Sequence, residues 1–88
     1  MHLRVETAAT VFTRRYRKGL EILEMILILN PGSGEEIKQR AWLRYELGLY
    51  KQARADLETY LAMGPPAEDI EDVKKWIVML QRTQARMN

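Results

Sequence analysis

Cysteine is missing from this sequence, and histidine occurs once, as His2. Without thiols there is no disulfide staple, no thiolate metal site and no cysteine nucleophile, and a lone histidine leaves no Ser/His/Asp set and no convergent metal ligands. His2, beside the initiator, reads as a disordered or expression-derived residue rather than a ligand. The five glycines are scattered, so no phosphate-cradling loop can be assembled. Paired carboxylates such as Glu35 and Glu36 stand where a helix start favours acids anyway. These absences exclude the common catalytic constellations: no enzyme, no metal and no cofactor is expected. Long apolar runs are lacking too. The longest, Met25–Leu29 and Trp76–Leu80, fall far short of the roughly 20 residues that span a bilayer. Met1 to Thr13 has neither the apolar core nor the cleavage site of a secretory signal. The chain is therefore expected to begin about where the sequence does, or to be an excised domain, and to reside in a reducing cytoplasm. Neither sign of charge dominates, with 14 basic against 12 acidic side chains and a net charge of +2. That is a weak footing for nucleic acid, except that Arg14, Arg15, Arg17 and Lys18 crowd one short stretch.

What is present is a chain of 88 residues, 47% hydrophobic and 30% charged, the balance of one soluble globular domain spanning residues 1–88. At this size it buries only about 60–65% of the surface its unfolded chain exposes. With no staples, packing alone must hold it.

Organisation comes from self-similarity. Tyr16 recurs as Tyr50, Gly19 as Ala53, Leu23 as Leu57, Leu27 as Leu61 and Pro31 as Pro65, each 34 positions on. An aromatic, a small residue, a large apolar residue four further on, and a proline that closes the second helix resemble the tetratricopeptide pattern, whose period is 34. The small residue lets helices approach closely and the apolar positions fill the seam. The expected fold is all-α: about two tetratricopeptide-like hairpins (repeat 1 over 3–31, repeat 2 over 34–65) and a capping helix over 67–86, wound as a right-handed superhelix.

Local signals set the helix ends. Ser33 followed by Glu36 has capping-box spacing. A helix should run from there to about Leu47, where Gly48 supplies a left-handed turn, and the next should start near Tyr50 and end before Pro65. Pro31 and Pro65 also push Asn30 and Gly64 out of the helical region. In repeat 1 the second helix, about Arg17 to Leu29, is strongly marked and apolar on nearly every side, so neighbours are expected to cover it on several sides. Its first helix, about Leu3 to Thr13, should be short or frayed, for it has β-branched residues and no turn glycine before Tyr16. The last helix starts with acids and ends with Arg82 and Arg86, which suits its dipole. Ile70, Val73, Ile77 and Leu80 form its core stripe, leaving Lys74, Lys75 and Gln81 for water.

From Gly19 to the end of the capping helix the chain resembles a narrower family, the C-terminal repeat region of bacterial transglutaminase-like/tetratricopeptide proteins. The resemblance rests on Leu29-Asn30-Pro31, Glu36-Ile37-Lys38-Gln39-Arg40-Ala41, Leu47-Gly48-Leu49-Tyr50 and Ala55-Asp56-Leu57-Glu58-Thr59-Tyr60-Leu61. Gln39 stands for that family's usual aspartate and Ala41 for its glycine, while Arg40 and Asp56 are kept. The resemblance implies a scaffold region attached to a larger cytoplasmic protein; no catalytic activity carries over to a chain without cysteine.

Two sets of residues are singled out. Arg40 takes a position that generic repeats fill with an apolar side chain, so it needs a partner, and Asp56 is the candidate for a two-point ion pair across the hairpin; the bland alternative is that both reach for solvent. The resemblance places the groove positions of the hairpin's first helix on Glu35, Lys38, Trp42, Tyr45 and Glu46. There Trp42 and Tyr45 could anchor a peptide, or Trp42 could simply be core. Trp76 and Met79 carry the same ambiguity between core and association face. The expected function is a protein-binding or scaffold module, its partner a peptide, a missing preceding domain or a second copy, with no membrane. The alternative is a nucleic-acid-associated helical domain, which would need Arg14 to Lys18 to converge with Arg4, Lys38 or Arg44.

Overall fold

The computed structural model describes residues 7–87 and contains four helices: α1 (Ala8–Leu29), α2 (Gly34–Glu46), α3 (Tyr50–Ala62) and α4 (Ala67–Met87). No strand occurs among the described residues. Each helix packs on the next in chain order, which gives the all-α tetratricopeptide-like stack that the repeat implies.

The second repeat forms one complete hairpin. Leu47 and Gly48 donate to carbonyls of the last turn of α2, Gly48 takes φ +78°, and α3 begins at Tyr50. At its far end α3 gives way to Gly64 at φ +70° and then Pro65. Between α1 and α2, Asn30 leaves the helical region at φ −141°, ψ 75°, as expected of a residue before proline.

The first repeat departs from expectation. Separate helices over 3–13 and 17–29 are not found; Ala8–Leu29 is one unbroken helix, and residues 3–6 lie outside the described residues. The reason is the residue at the turn. Where the second repeat has Gly48, the equivalent position 34 residues earlier holds Arg14, whose Cβ makes the left-handed turn costly, so the helix runs on. Thr7 begins it, its hydroxyl accepting the backbone N–H of Thr10 at 3.2 Å. Ser33 does sit at the start of α2, but its side chain makes no capping bond. Among the described residues there are thus four helices rather than five.

The core runs between α2, α3 and α4, built from Ile37, Ala41, Ala53, Leu57, Tyr60, Val73 and Leu80, with Leu27 joining from α1. Ala53, Ala41, Leu57 and Leu80 have no exposed surface. Gly19 provides a close approach, since a Cβ there would lie 3.2 Å from Leu43 Cδ1; the helix it admits is α2, the next repeat's first helix. Leu23 and Leu27 bury the α2-facing side of α1, but Ile22, Met25, Ile26, Ile28 and Leu29 stay exposed, so the expected cover on several sides is not supplied by the described residues. On α4, Val73 and Leu80 are buried, Ile70 and Ile77 half-buried, and Lys74, Lys75 and Gln81 exposed.

Candidate functional site

The hairpin is pinned by a buried charge. Asp56 on α3 is 4% exposed. Arg40 on α2 donates to it at two points, Nη2 to Oδ1 at 2.7 Å and Nε to Oδ2 at 3.0 Å, the fork geometry that suits a carboxylate. A second guanidinium joins: Arg44 Nη1 donates to Oδ2 at 2.8 Å, while its Nη2 lies 3.9 Å from Glu24 Oε1 on α1. Arg44 therefore links three helices, although its Nε is buried without a hydrogen-bond partner. The sequence points to Arg44 only as a candidate contributor to a basic face, not as a partner of Asp56; its i+4 spacing from Arg40, which puts both on one helix face, is the signal that was available.

A second polar cluster joins α2, α3 and α4. Asp69, near the start of α4, accepts from the Tyr60 hydroxyl at 2.5 Å and from Lys38 Nζ at 3.3 Å, and Lys38 Nζ stands 5.5 Å from the centre of the Tyr60 ring. The Tyr60 hydroxyl first, then the Lys38 ammonium, hold the Asp69 carboxyl below the usual carboxylate range against the opposing effect of burial. For Lys38, burial works to lower the pKa, but the hydrogen bond to Asp69 and the charges of Glu35, Tyr60 and Asp69 outweigh it and leave the ammonium above its ordinary value. The hydrogen bond to Asp69, then burial, raise the Tyr60 phenol. Lys38, one of the expected groove positions, thus has its charge matched within the chain.

Aromatic rings line the seams next to these clusters. Trp42 is 46% exposed and makes a T-shaped contact with Tyr16, centroids 5.7 Å apart; Phe12 stacks on Tyr16 at 6.4 Å. Tyr45 is half-buried between Tyr50 at 5.7 Å and Trp76 at 5.9 Å. Trp42 is therefore packed on Tyr16 yet partly open, whereas Tyr45 and Trp76 belong mostly to the seam joining α2, α3 and α4. Glu35 and Glu46 are exposed, and Met79 is 40% exposed.

The tetratricopeptide repeat family model matches residues 8–77, most of the chain. The chain belongs to the tetratricopeptide repeat family. Comparison with curated proteins and with solved structures returned no match. Tetratricopeptide repeats usually mediate protein–protein interaction and are generally non-catalytic. Among the described residues no group of three His, Cys, Asp or Glu side chains could hold a metal ion, and no described helix is long and apolar enough to cross a membrane. In this tetratricopeptide chain the sequence-predicted residues thus divide. Arg40 and Asp56 lock the hairpin, Lys38 locks α4, and Trp42 offers open aromatic surface between Glu35 and Glu46. Lys38 and Arg44, two of the residues that nucleic-acid binding would need beside Arg14 to Lys18, are each paired with carboxylates; Arg4 lies outside the described residues.

Proposed function

We propose that this tetratricopeptide module binds a protein segment along the groove face of α2, with Trp42 as the anchor. The observation that carries the reading is the half-exposed Trp42, held in a T-shaped contact with Tyr16. A rigid aromatic offers contact area at small entropic cost, and such residues dominate binding energies at interfaces. Lys38 is shared between Asp69 at 3.3 Å and Glu35 at 3.7 Å, and Glu46 is exposed, so carboxylates outnumber the ammonium among the expected groove positions and their neighbour Asp69. The partner favoured is an apolar side chain flanked by basic residues, in an extended or helical segment. The resemblance to the repeat region of transglutaminase-like proteins supports a scaffold role beside a larger domain, and a cysteine-free chain suits the cytoplasm.

The test is a panel of peptides with a central apolar residue between either lysines or glutamates, titrated by nuclear magnetic resonance. The Trp42 indole N–H should shift with the basic set, and Trp42→Ala should weaken binding at least about tenfold. A panel that leaves the Trp42 indole unmoved would remove the basis for this groove.

A further inference from the structure

The outer side of α1 is apolar and uncovered by any described residue. Ile22, Met25, Ile26 and Leu29, at i, i+3, i+4 and i+7, are 50%, 66%, 37% and 87% exposed. Single exposed apolar side chains are ordinary, but a contiguous stripe of four large ones marks a contact surface.

The internal repeat shows what this side of the helix meets. Asp56 and Tyr60 follow Ile22 and Ile26 by 34 positions. In α3 both are buried, at 4% and 5%, and both touch α2: Asp56 through Arg40 and Arg44, Tyr60 beneath Lys38. This side of a second helix is therefore where its hairpin partner lies. In α1 the same side has no such partner among the described residues, and it is apolar where α3 is polar. The occupant it fits is a helix with an apolar stripe and no buried charge.

Among the described residues two helices have an open side, and only one of them meets that description. If copies stacked head to tail, α4 would stand where α2 stands in the hairpin. Lys74 and Val78, 34 positions after Arg40 and Arg44, would then face Ile22, burying an ammonium against a methyl group with no carboxylate to receive it. The outward face of α4, with Lys74, Lys75, Arg82 and Arg86, stays wet as an end cap. The surface complementary to α1 is α1 itself. Two α1 helices crossing antiparallel about an axis between Met25 and Ile26 place Ile22 against Leu29 of the second copy and bury eight large side chains together. Charge agrees with this register. α1 has no basic residue in its last turn, so its free C-terminal carbonyls carry uncompensated negative partial charge. Lys18, exposed, 3.8 Å from Glu21 Oε2 in a solvent-open pair that is easily exchanged, and on the same side as the stripe, comes beside those carbonyls on the second copy. The two Lys18 side chains then lie about 22 Å apart along the axis, beyond the screening length.

We propose that this stripe is the two-fold interface of a homodimer, closed by antiparallel α1 helices and separate from the Trp42 surface. A two-fold contact uses the same patch twice and therefore closes, whereas the disfavoured head-to-tail contact would run on into a fibre.

Sedimentation velocity of the 88-residue chain across the micromolar range tests this, alongside Met25→Lys and Ile22→Lys. The native chain should move from monomer to dimer, and either variant should raise the dissociation constant at least about tenfold while circular dichroism shows unchanged helicity, since both side chains are already half exposed or more. Because the chain has no cysteine, a single introduced thiol reports the contact directly: M25C should form a disulfide-linked dimer under mild oxidation and V78C on α4 should not. A native chain that stays monomeric throughout, a dimer indifferent to both lysines, or cross-linking through V78C instead of M25C would overturn the proposal. The first of these would assign the stripe to a helix of a different polypeptide.

Discussion

Asp56 holds two guanidiniums on one carboxylate in a seam that solvent scarcely reaches. Removing it leaves Arg40 and Arg44 facing each other with nothing between them, which is the costly way to break a buried pair. Asp56→Ala should therefore lower stability by about 3 kcal/mol, and in a domain of this size that lowers the thermal midpoint by more than about 10 °C. An unchanged melting curve would mean that the cluster contributes nothing net. Glycines separate backbone from packing effects in the same experiment. Gly48 and Gly32 both have open space where a Cβ would stand, but only Gly48 has positive φ. Gly48→Ala should cost about 1 kcal/mol through backbone strain alone. Gly32→Ala should be neutral or gain up to about 0.5 kcal/mol from a stiffer unfolded chain. Equal effects at the two sites would contradict the left-handed turn.

At the scale of the element, α4 is fastened at its N-terminal end by Asp69 and along its length by Val73, Trp76 and Leu80. The fastening depends on pH with a defined sign. Because the folded-state pKa of Asp69 is depressed, its contribution is present above the ordinary carboxylate range and is lost as pH falls through the folded value. Lys38 and Tyr60 are shifted upward, so their contributions are present below their ordinary values and lost as pH rises through the raised ones. Hydrogen exchange of the first turns of α4 should accelerate in acid before that of α2 and α3, and Asp69→Asn should remove the difference. Equal acid sensitivity of all three helices in the native chain would show that Asp69 does not govern the docking of α4.

For the whole molecule, the four described helices, each packed on its chain neighbours, leave the outer sides of α1 and α4 uncovered by described residues, and these two ends differ. The α4 end is basic and amphipathic, able to face water; the α1 end is apolar. In a small domain with little stability to spare, covering the apolar end adds to the folding free energy by mass action. Dimerisation through α1 accordingly carries a thermal signature: the midpoint of the native chain should climb with protein concentration, and that of Met25→Lys should not. A midpoint independent of concentration in the native chain would agree with a monomer and count against the α1 interface.

The sequence by itself determined the repeat, and with it the second hairpin almost to the residue, because a 34-residue period, Gly48 and the two prolines are local instructions that few other folds can satisfy. It also pointed to Arg40 and Asp56, since a charge at an apolar repeat position demands a partner. What it could not decide lay in contacts between distant residues. The merging of the first repeat into one helix depended on Arg14 replacing a turn glycine, a weak signal against the strength of the repeat. Arg44, Glu24 and the Lys38–Asp69–Tyr60 cluster join side chains whose meeting is set by how the helices stack. Apolarity on nearly every side of α1 read as burial; only the tertiary structure separated the side that α2 covers from the stripe left open, because hydrophobicity states that a surface should be covered and packing alone states by what.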